Sequence, residues 1–149
     1  MTLADDFREF LRCLIAREVR FLVIGGHAVS FHGYPRFTHD VDVVVIPEAR
    51  NVESLLAALA DFGFGAVALQ VSDFLKPTTV VLGRPPAQID IMTFIKGVDI
   101  GDAWTRREVG ELDGVHVAFI SRQDLIANKR AVGRPEDLAD IARISDQPT

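Results

Sequence analysis

The spacing of apolar residues divides the first third of the chain into short helical and extended segments. Apolar residues at three- and four-residue intervals predict an amphipathic helix over residues 3–17. The apolar run at 21–24 stops at two glycines, and the β-branched run at 41–46 stops before a proline, so both predict buried strands. A brief helix is expected between them, over residues 27–32, because a glycine and a proline follow.

The rest of the chain repeats these two patterns. Helices are predicted over residues 51–62, 121–132 and 135–144, and strands over 64–69, 78–82, 88–93, 109–112 and 115–120. A Gly/Pro-rich turn predicts one hairpin between the second and third of these strands, and Asp113-Gly114 predicts another between the last two. The expected fold class is therefore α+β, a mixed β-sheet with helices packed on it, in a single domain over residues 1–149.

Composition narrows the class of protein further. The 149 residues carry a net charge of −5, with 48% hydrophobic and 25% charged residues, as in ordinary soluble domains. One cysteine excludes an intramolecular disulfide, and no apolar run is long enough to span a bilayer. The N-terminus lacks the features of a secretory signal, so a cytoplasmic location without membrane contact is expected. The acidic balance argues against a protein that coats nucleic acid non-specifically.

Three aspartates fall within strands that are otherwise apolar. Asp40 and Asp42 are two positions apart, so they point to the same face, about 7 Å apart along the strand. Carboxylates placed so closely repel each other, and a bound cation relieves that repulsion. If the strand that carries Asp90 neighbours theirs, the three side chains can hold Mg²⁺ or Mn²⁺ for phosphoryl or nucleotidyl transfer.

A phosphate site is predicted at the preceding turn. Gly25-Gly26 lies between a strand and a helix, where backbone amides can approach a phosphate because no Cβ intervenes. Each feature alone has a plainer explanation: a simple turn, a pair of acids at a strand end, or an exposed Asp90. Their combination in this order and at this spacing favours a nucleotide and metal site.

The same residues resemble a known family. Gly-Gly, a spacer, Asp-hydrophobic-Asp and a later single Asp resemble the nucleotidyltransferase superfamily of DNA polymerase beta. More narrowly, VIGGHAV at 23–29 and RFTHDVD at 36–42 resemble small bacterial nucleotidyltransferases, a group that includes toxins of the abortive-infection type. DLIANK at 124–129 and GRPEDLAD at 133–140 are also similar to that group.

This resemblance implies roles for individual residues. Gly25 and Gly26 would lie against the triphosphate of an NTP. Asp40 and Asp42 would hold both metal ions, and Asp90 would complete one metal site and help to activate an acceptor hydroxyl.

Five further residues are candidate nucleotide contacts, each with a structural alternative. Arg36 and Thr38 precede the acidic strand on the same alternation as Asp40, and Arg36 could instead form a salt bridge in a loop. His27 could contact phosphate or base, or simply pack. Lys129 and Arg134 could reach the nucleotide from the C-terminal helices, or Arg134 could pair with an aspartate of its own helix.

Three hypotheses follow for the function. The first is a metal-dependent enzyme that moves a nucleoside monophosphate from an NTP to a hydroxyl on protein, RNA or a small molecule. The second is a module with little or no turnover that acts with the partner protein of a toxin–antitoxin pair, since the chain leaves little room for a separate acceptor domain. The third is a binding domain without chemistry, in which Asp90 would face solvent far from Asp42.

Overall fold

A computed structural model describes residues 5–35, 38, 40–64, 68–84 and 88–145. Within these ranges the chain forms a six-stranded sheet. The strands are β1 (Phe21–Ile24), β2 (Val41–Val45), β3 (Thr79–Leu82), β4 (Ile89–Met92), β5 (Glu108–Leu112) and β6 (Val115–Phe119). The α-helices are α1 (Asp5–Ala16), α2 (Gly25–Phe31), α3 (Ala49–Leu59), α4 (Ile100–Thr105), α5 (Arg122–Val132) and α6 (Pro135–Ser145).

The sheet is mixed, in the order β3-β4-β2-β1-β6-β5. β1 pairs with β2 in antiparallel orientation, whereas β1 with β6 and β2 with β4 are parallel. β3–β4 and β5–β6 are the two antiparallel hairpins that the turn residues predict. The predicted α+β fold class, with a mixed sheet and C-terminal helices, is confirmed.

The two central strands are buried and almost wholly apolar. All four residues of β1 are buried, and Asp42 is the partly exposed position of β2. The predicted apolar stripe of α1 buries Phe10, Leu11 and Leu14 completely, and α1 packs against α3. Burial disfavours the charged form of a carboxylate, so packing alone does not explain Asp42 in this central strand.

The predicted strand over residues 64–69 is wrong in its described part. Ala60–Phe64 instead extends α3 as a π-helical turn, residues 65–67 lie outside the described ranges, and 68–70 are not in a strand. Gly63 turns the chain with a φ of 107°, and the Phe62 ring packs edge-on against Phe10 at 5.7 Å. The apolar residue before this glycine therefore packs against the middle of α1.

Two helical features differ from the sequence prediction. α2 begins at Gly25, two residues before the predicted start. α4 was not predicted, although Asp99 caps it by accepting a hydrogen bond from the backbone N–H of Asp102 at 2.9 Å. The boundaries of α5 agree closely with the prediction, because Ser121 caps its start and Gly133 ends it with a φ of 71°.

Candidate active site

Asp90 lies directly beside Asp42 in the sheet. The parallel register of β2 and β4 places the two residues opposite each other, and a hydrogen bond joins their side chains. Gln88, two residues earlier on the same strand, donates from Nε2 to Asp90 Oδ1 at 2.9 Å. The condition stated for the sequence, that the two acidic strands be neighbours, is met, and Asp90 does not lie far from Asp42 as the third hypothesis expects.

The electrostatic environment of Asp42 is strongly unfavourable for a negative charge. Its pKa is raised from 3.8 to about 7, first by burial, then by the hydrogen bond with Asp90 and the charges of Asp90 and Asp40. The positive charge of Lys129 partly opposes these effects. Asp40, Asp42 and Asp90 are thus close enough to repel one another, and a bound cation would relieve that repulsion.

The carboxylates suit a divalent cation whose remaining coordination positions would be filled by water and substrate phosphates. Among the residues that the structure describes, no group of three or more His, Cys, Asp or Glu side chains is arranged as a metal site. Mg²⁺ is nevertheless commonly held by one or two carboxylates together with water and substrate phosphates. The adjacent carboxylates of Asp42 and Asp90, with their excess negative charge, match that requirement.

The two glycines let the turn between β1 and α2 pack closely against the acidic strand. Gly25 has a φ of +68°, and a Cβ at this position would overlap Asp42 Oδ2. A Cβ at Gly26 would lie 2.9 Å from Cβ and Oγ1 of Thr38. Thr38 Oγ1 in turn donates to the backbone carbonyl of Asp40 at 3.3 Å. These positions therefore require glycine because of their neighbours, which are residues of the candidate site.

A cavity of about 340 Å³ opens beside Asp42. We call it the nucleotide cavity because four residues that the sequence predicts to bind nucleotide or metal line it, Gly25, Asp42, Lys129 and Arg134. Its size is within the range of small-molecule sites. The sequence analysis did not identify its apolar wall, formed by Met92, Phe94, Ile95, Leu125 and Val132. These residues either follow Asp90 closely along the chain or lie on the same helix as Lys129, and that placement could have identified them from the sequence.

Lys129 is a buried cation between the nucleotide cavity and α6. Its Nζ lies 3.0 Å from Asp140 Oδ2 and 3.4 Å from Asp137 Oδ1, and its side chain is 9% exposed. Its charge also acts on Asp42. The two aspartates therefore hold Lys129 in one place, where it faces the candidate metal site.

Arg134 forms ion pairs with acidic residues of α6, which is the structural alternative given for it in the sequence analysis. It also lines the nucleotide cavity. Its Nε lies 2.7 Å from Asp137 Oδ2, and NH1 lies 3.2 Å from Glu136 Oε1. The hydrogen bond from Arg134 is the largest cause of the lowered pKa of Asp137. The guanidinium remains largely exposed at the mouth of the cavity.

Four predicted nucleotide contacts are not in the described lining of this cavity, namely Gly26, His27, Arg36 and Thr38. Arg36 lies outside the described residues. His27 is buried, and it lines a separate cavity between α2 and the β5–β6 hairpin, together with Ser30 and Phe31. Burial lowers the pKa of His27 below its usual value, so its ring is neutral at pH 7.

These features define the class of protein. A mixed sheet with acids on adjacent parallel strands, beside a strand–Gly-Gly–helix turn, has the architecture of a nucleotidyltransferase. The chain matches the family described as "Nucleotidyltransferase of unknown function (DUF6036)" over residues 3–145, and it belongs to that family. The predicted membership of the small nucleotidyltransferases is thereby confirmed.

A solved structure supports the same fold. The chain is similar to the lincomycin-bound crystal structure of the lincosamide antibiotic adenylyltransferase LnuA, with a TM-score of 0.58 and 15% sequence identity. The match covers 97% of this chain and 98% of the other. Comparison with curated proteins gave no match. Among the described residues, no helix is long and apolar enough to cross a membrane.

Proposed function

We propose that this protein is a metal-dependent nucleotidyltransferase, which moves a nucleoside monophosphate from an NTP to a hydroxyl acceptor. The observation that carries the proposal is the side-by-side placement of Asp90 and Asp42, of which Asp42 lines the nucleotide cavity. A raised carboxyl pKa beside a specific charged partner in a cleft is typical of functional sites.

The nucleotide cavity supplies contacts suited to the two parts of an NTP. The apolar wall, which includes Phe94 and Leu125, fits a nucleoside. Gly25 lines the same cavity directly against Asp42, so a phosphate on a metal held by Asp42 would lie close to this backbone. Lys129 and Arg134 place positive charge on the same cavity, where it can offset the charge of the triphosphate.

The chemistry assigns distinct tasks to the acids. Asp40, Asp42 and Asp90 would hold Mg²⁺ or Mn²⁺, which when bound neutralises phosphate charge and lowers the pKa of a nearby hydroxyl. The acceptor oxygen attacks the α-phosphorus, the bond from that phosphorus to the oxygen bridging to the β-phosphate breaks, and pyrophosphate leaves. Asp90 takes the hydroxyl proton, and the hydrogen bond from Gln88 fixes its orientation.

A small molecule is the acceptor class to test first. The similar solved structure is described as an adenylyltransferase of lincosamide antibiotics with lincomycin bound. Protein, including this chain itself, and RNA are the other classes. All three can be compared by incubation with α-labelled NTP and separation of the labelled product.

A thermal-shift titration of NTPs with and without Mg²⁺ tests the proposal. Ligand binding to the native state stabilises it by about 2.7 kcal/mol at a hundredfold excess over Kd. The wild-type protein is expected to show a Mg²⁺-dependent shift that Asp42→Asn and Asp90→Asn lose. Glu53→Gln is the matched control, because this acid is exposed on α3 away from the cavity, and it should keep the shift.

Two outcomes would contradict the proposal. Equal shifts in the wild type and in both aspartate variants would show that the acids do not take part in binding. A Mg²⁺-dependent shift with no release of pyrophosphate for any acceptor, but with a second polypeptide co-purifying, would favour the partner module of a toxin–antitoxin pair instead.

A further inference from the structure

The row of site residues across the sheet continues beyond Asp90 onto the edge strand β3. Asp42 on β2 lies opposite Asp90 on β4, and Asp90 lies opposite Val81 on β3. Residues directly opposite each other on neighbouring strands point to the same face of a sheet. Asp42 lines the nucleotide cavity, whereas Asp90 and Val81 are not in its described lining. On this face Asp90 therefore lies between Asp42 and Val81.

The part of this face that β3 contributes is exposed and uncharged. Thr79 and Val81 are exposed, whereas Val80 between them points to the opposite face and packs against the core. Thr79 lies opposite Met92, which is one step along the same face from Asp90. The surface beside Asp90 is thus open to a ligand.

A cavity of about 330 Å³ lies where these two strands meet their neighbouring loops. We call it the Leu75 cavity, because Leu75 lines it together with Pro77, just before β3, and Phe94, just after β4. Phe94 also lines the nucleotide cavity, so the two cavities meet at this ring. The charged residues in the described lining, Lys76 and Asp99, are of opposite sign. The Leu75 cavity therefore suits a neutral ligand.

Exposed apolar side chains lie together in this part of the surface. Eight large apolar side chains are exposed in the described ranges, and three of them are Leu75, Val81 and Phe94. Their exposed fractions are 49%, 55% and 54%. Exposed apolar groups that lie together are typical of ligand-binding grooves. We call the surface that runs from Val81 and Thr79 to the Leu75 cavity the β3–β4 face.

The geometry of nucleotidyl transfer requires a ligand on the side of β3. The attacking oxygen and the leaving pyrophosphate lie on opposite sides of the α-phosphorus. Lys129 and Arg134 place positive charge in the nucleotide cavity, which suits the pyrophosphate. Asp90, which takes the hydroxyl proton in the proposed reaction, lies beyond Asp42 toward β3. The acceptor would therefore approach Asp90 from the β3–β4 face.

We propose that the β3–β4 face binds the acceptor, which is a neutral, elongated small molecule with an apolar ring body and a hydroxyl group at one end. This inference rests on the proposed function. The ring body occupies the Leu75 cavity, and the hydroxyl lies between Val81 and Asp90. Phe94 is four residues beyond Asp90, or about 13 Å along an extended chain, which is why the molecule is elongated. Its oxygen bonds to the α-phosphorus, pyrophosphate leaves, and the proton passes to Asp90.

Binding of biphenyl-4-methanol, a neutral rod-shaped alcohol, tests the site without turnover. In a ¹H–¹⁵N chemical-shift titration, the amides of Leu75, Val81 and Phe94 are expected to move. Affinity should fall about fivefold in Leu75→Ser, because the ligand would cover this half-exposed side chain. Val81→Ser should also weaken binding. Val109→Ser is its matched control, since Val109 is exposed on β5 at the opposite edge of the sheet, and it should keep the wild-type affinity.

Transfer of label separates an acceptor site from a plain binding site. With Mg²⁺ and the α-labelled form of the NTP that gives the largest thermal shift, biphenyl-4-methanol should be labelled more efficiently than methanol at equal concentration. Leu75→Ser should reduce this preference about fivefold, and Val109→Ser should keep it.

The failures of this proposal and of the proposed function are distinguishable. A Mg²⁺-dependent NTP shift with equal labelling of both alcohols, or with labelling of neither, would overturn the acceptor role of the β3–β4 face. Unmoved amides at Leu75 and Val81 would overturn it as well. The absence of that shift with every NTP would instead refute the proposed function, and the acceptor role with it.

Discussion

Replacing Asp42 by Asn should stabilise the protein above neutral pH, although it removes a residue of the candidate site. The pKa of Asp42 is about 7 in the folded state and 3.8 as the ordinary value, a difference of about 3 units. Each unit corresponds to about 1.36 kcal/mol, so about 4 kcal/mol of the free energy of unfolding is linked to this proton. Because the pKa of Asp42 is raised in the folded state, protonation of Asp42 stabilises the fold. This contribution is complete below pH 3.8 and is lost as the pH rises through 7.

The assay is urea denaturation in EDTA between pH 4.5 and 8.5. Asn resembles the protonated carboxyl, so Asp42→Asn should lack the decline of the wild type and exceed its stability at pH 8. Asp61→Asn is the control without pH dependence in this range, because the exposed ion pair with Arg17 lowers the pKa of Asp61 from its ordinary value of 3.8. The stabilising effect of the Asp61 charge is lost only below that value, so the difference between the wild type and Asp61→Asn should stay constant from pH 4.5 to 8.5.

Metal binding gives the same experiment a second readout. At pH 8, Mg²⁺ in place of EDTA should raise the stability of the wild type and leave Asp42→Asn unchanged, since the cation relieves the repulsion among the acids. Parallel stability curves for the wild type and Asp42→Asn across the whole range would refute the electrostatic reasoning.

Two further predictions concern stability alone and are measured by the same denaturation at pH 7. Gly25→Ala should lower the free energy of unfolding by about 1–3 kcal/mol, because φ is positive and the new Cβ would overlap Asp42. Gly114→Ala has a positive φ but open space, so its loss should be smaller, and equal losses would contradict the overlap. His27→Leu should cost nothing, whereas His32→Leu should cost about 1–3 kcal/mol by leaving a buried carbonyl unpaired.

Local patterns predicted the acidic strands, but not the way in which they meet. Asp42 and Asp90 are recognisable because each interrupts an apolar run. Their adjacency depends on the parallel pairing of β2 and β4, which joins distant parts of the chain and leaves no short-range signal. The residues alone could therefore state the adjacency only as a condition, and the family resemblance added support for the expectation that these acids act together.

The positions of the other candidate site residues depend on tertiary contacts. His27 follows the two glycines and could have contacted phosphate or base, or simply packed; it is buried and lines a cavity beside the β5–β6 hairpin, far along the sequence. Lys129 was singled out from the sequence and lines the nucleotide cavity, but its burial between Asp137 and Asp140 could not be predicted without the packing of α6. The strand predicted at 64–69 failed because apolar residues at a helix end have the same local pattern as a short strand.

The order of the strands has a consequence for synthesis of the chain. β1 and β2 are made early, yet they lie in the middle of the sheet, and their outer edges are covered by β6 and β4. Until those later strands leave the ribosome, an antiparallel pair of apolar strands presents two bare edges, which is the kind of surface that aggregates. A prematurely terminated chain would therefore be insoluble rather than merely inactive, and its clearance would fall to the chaperones and proteases of the cell.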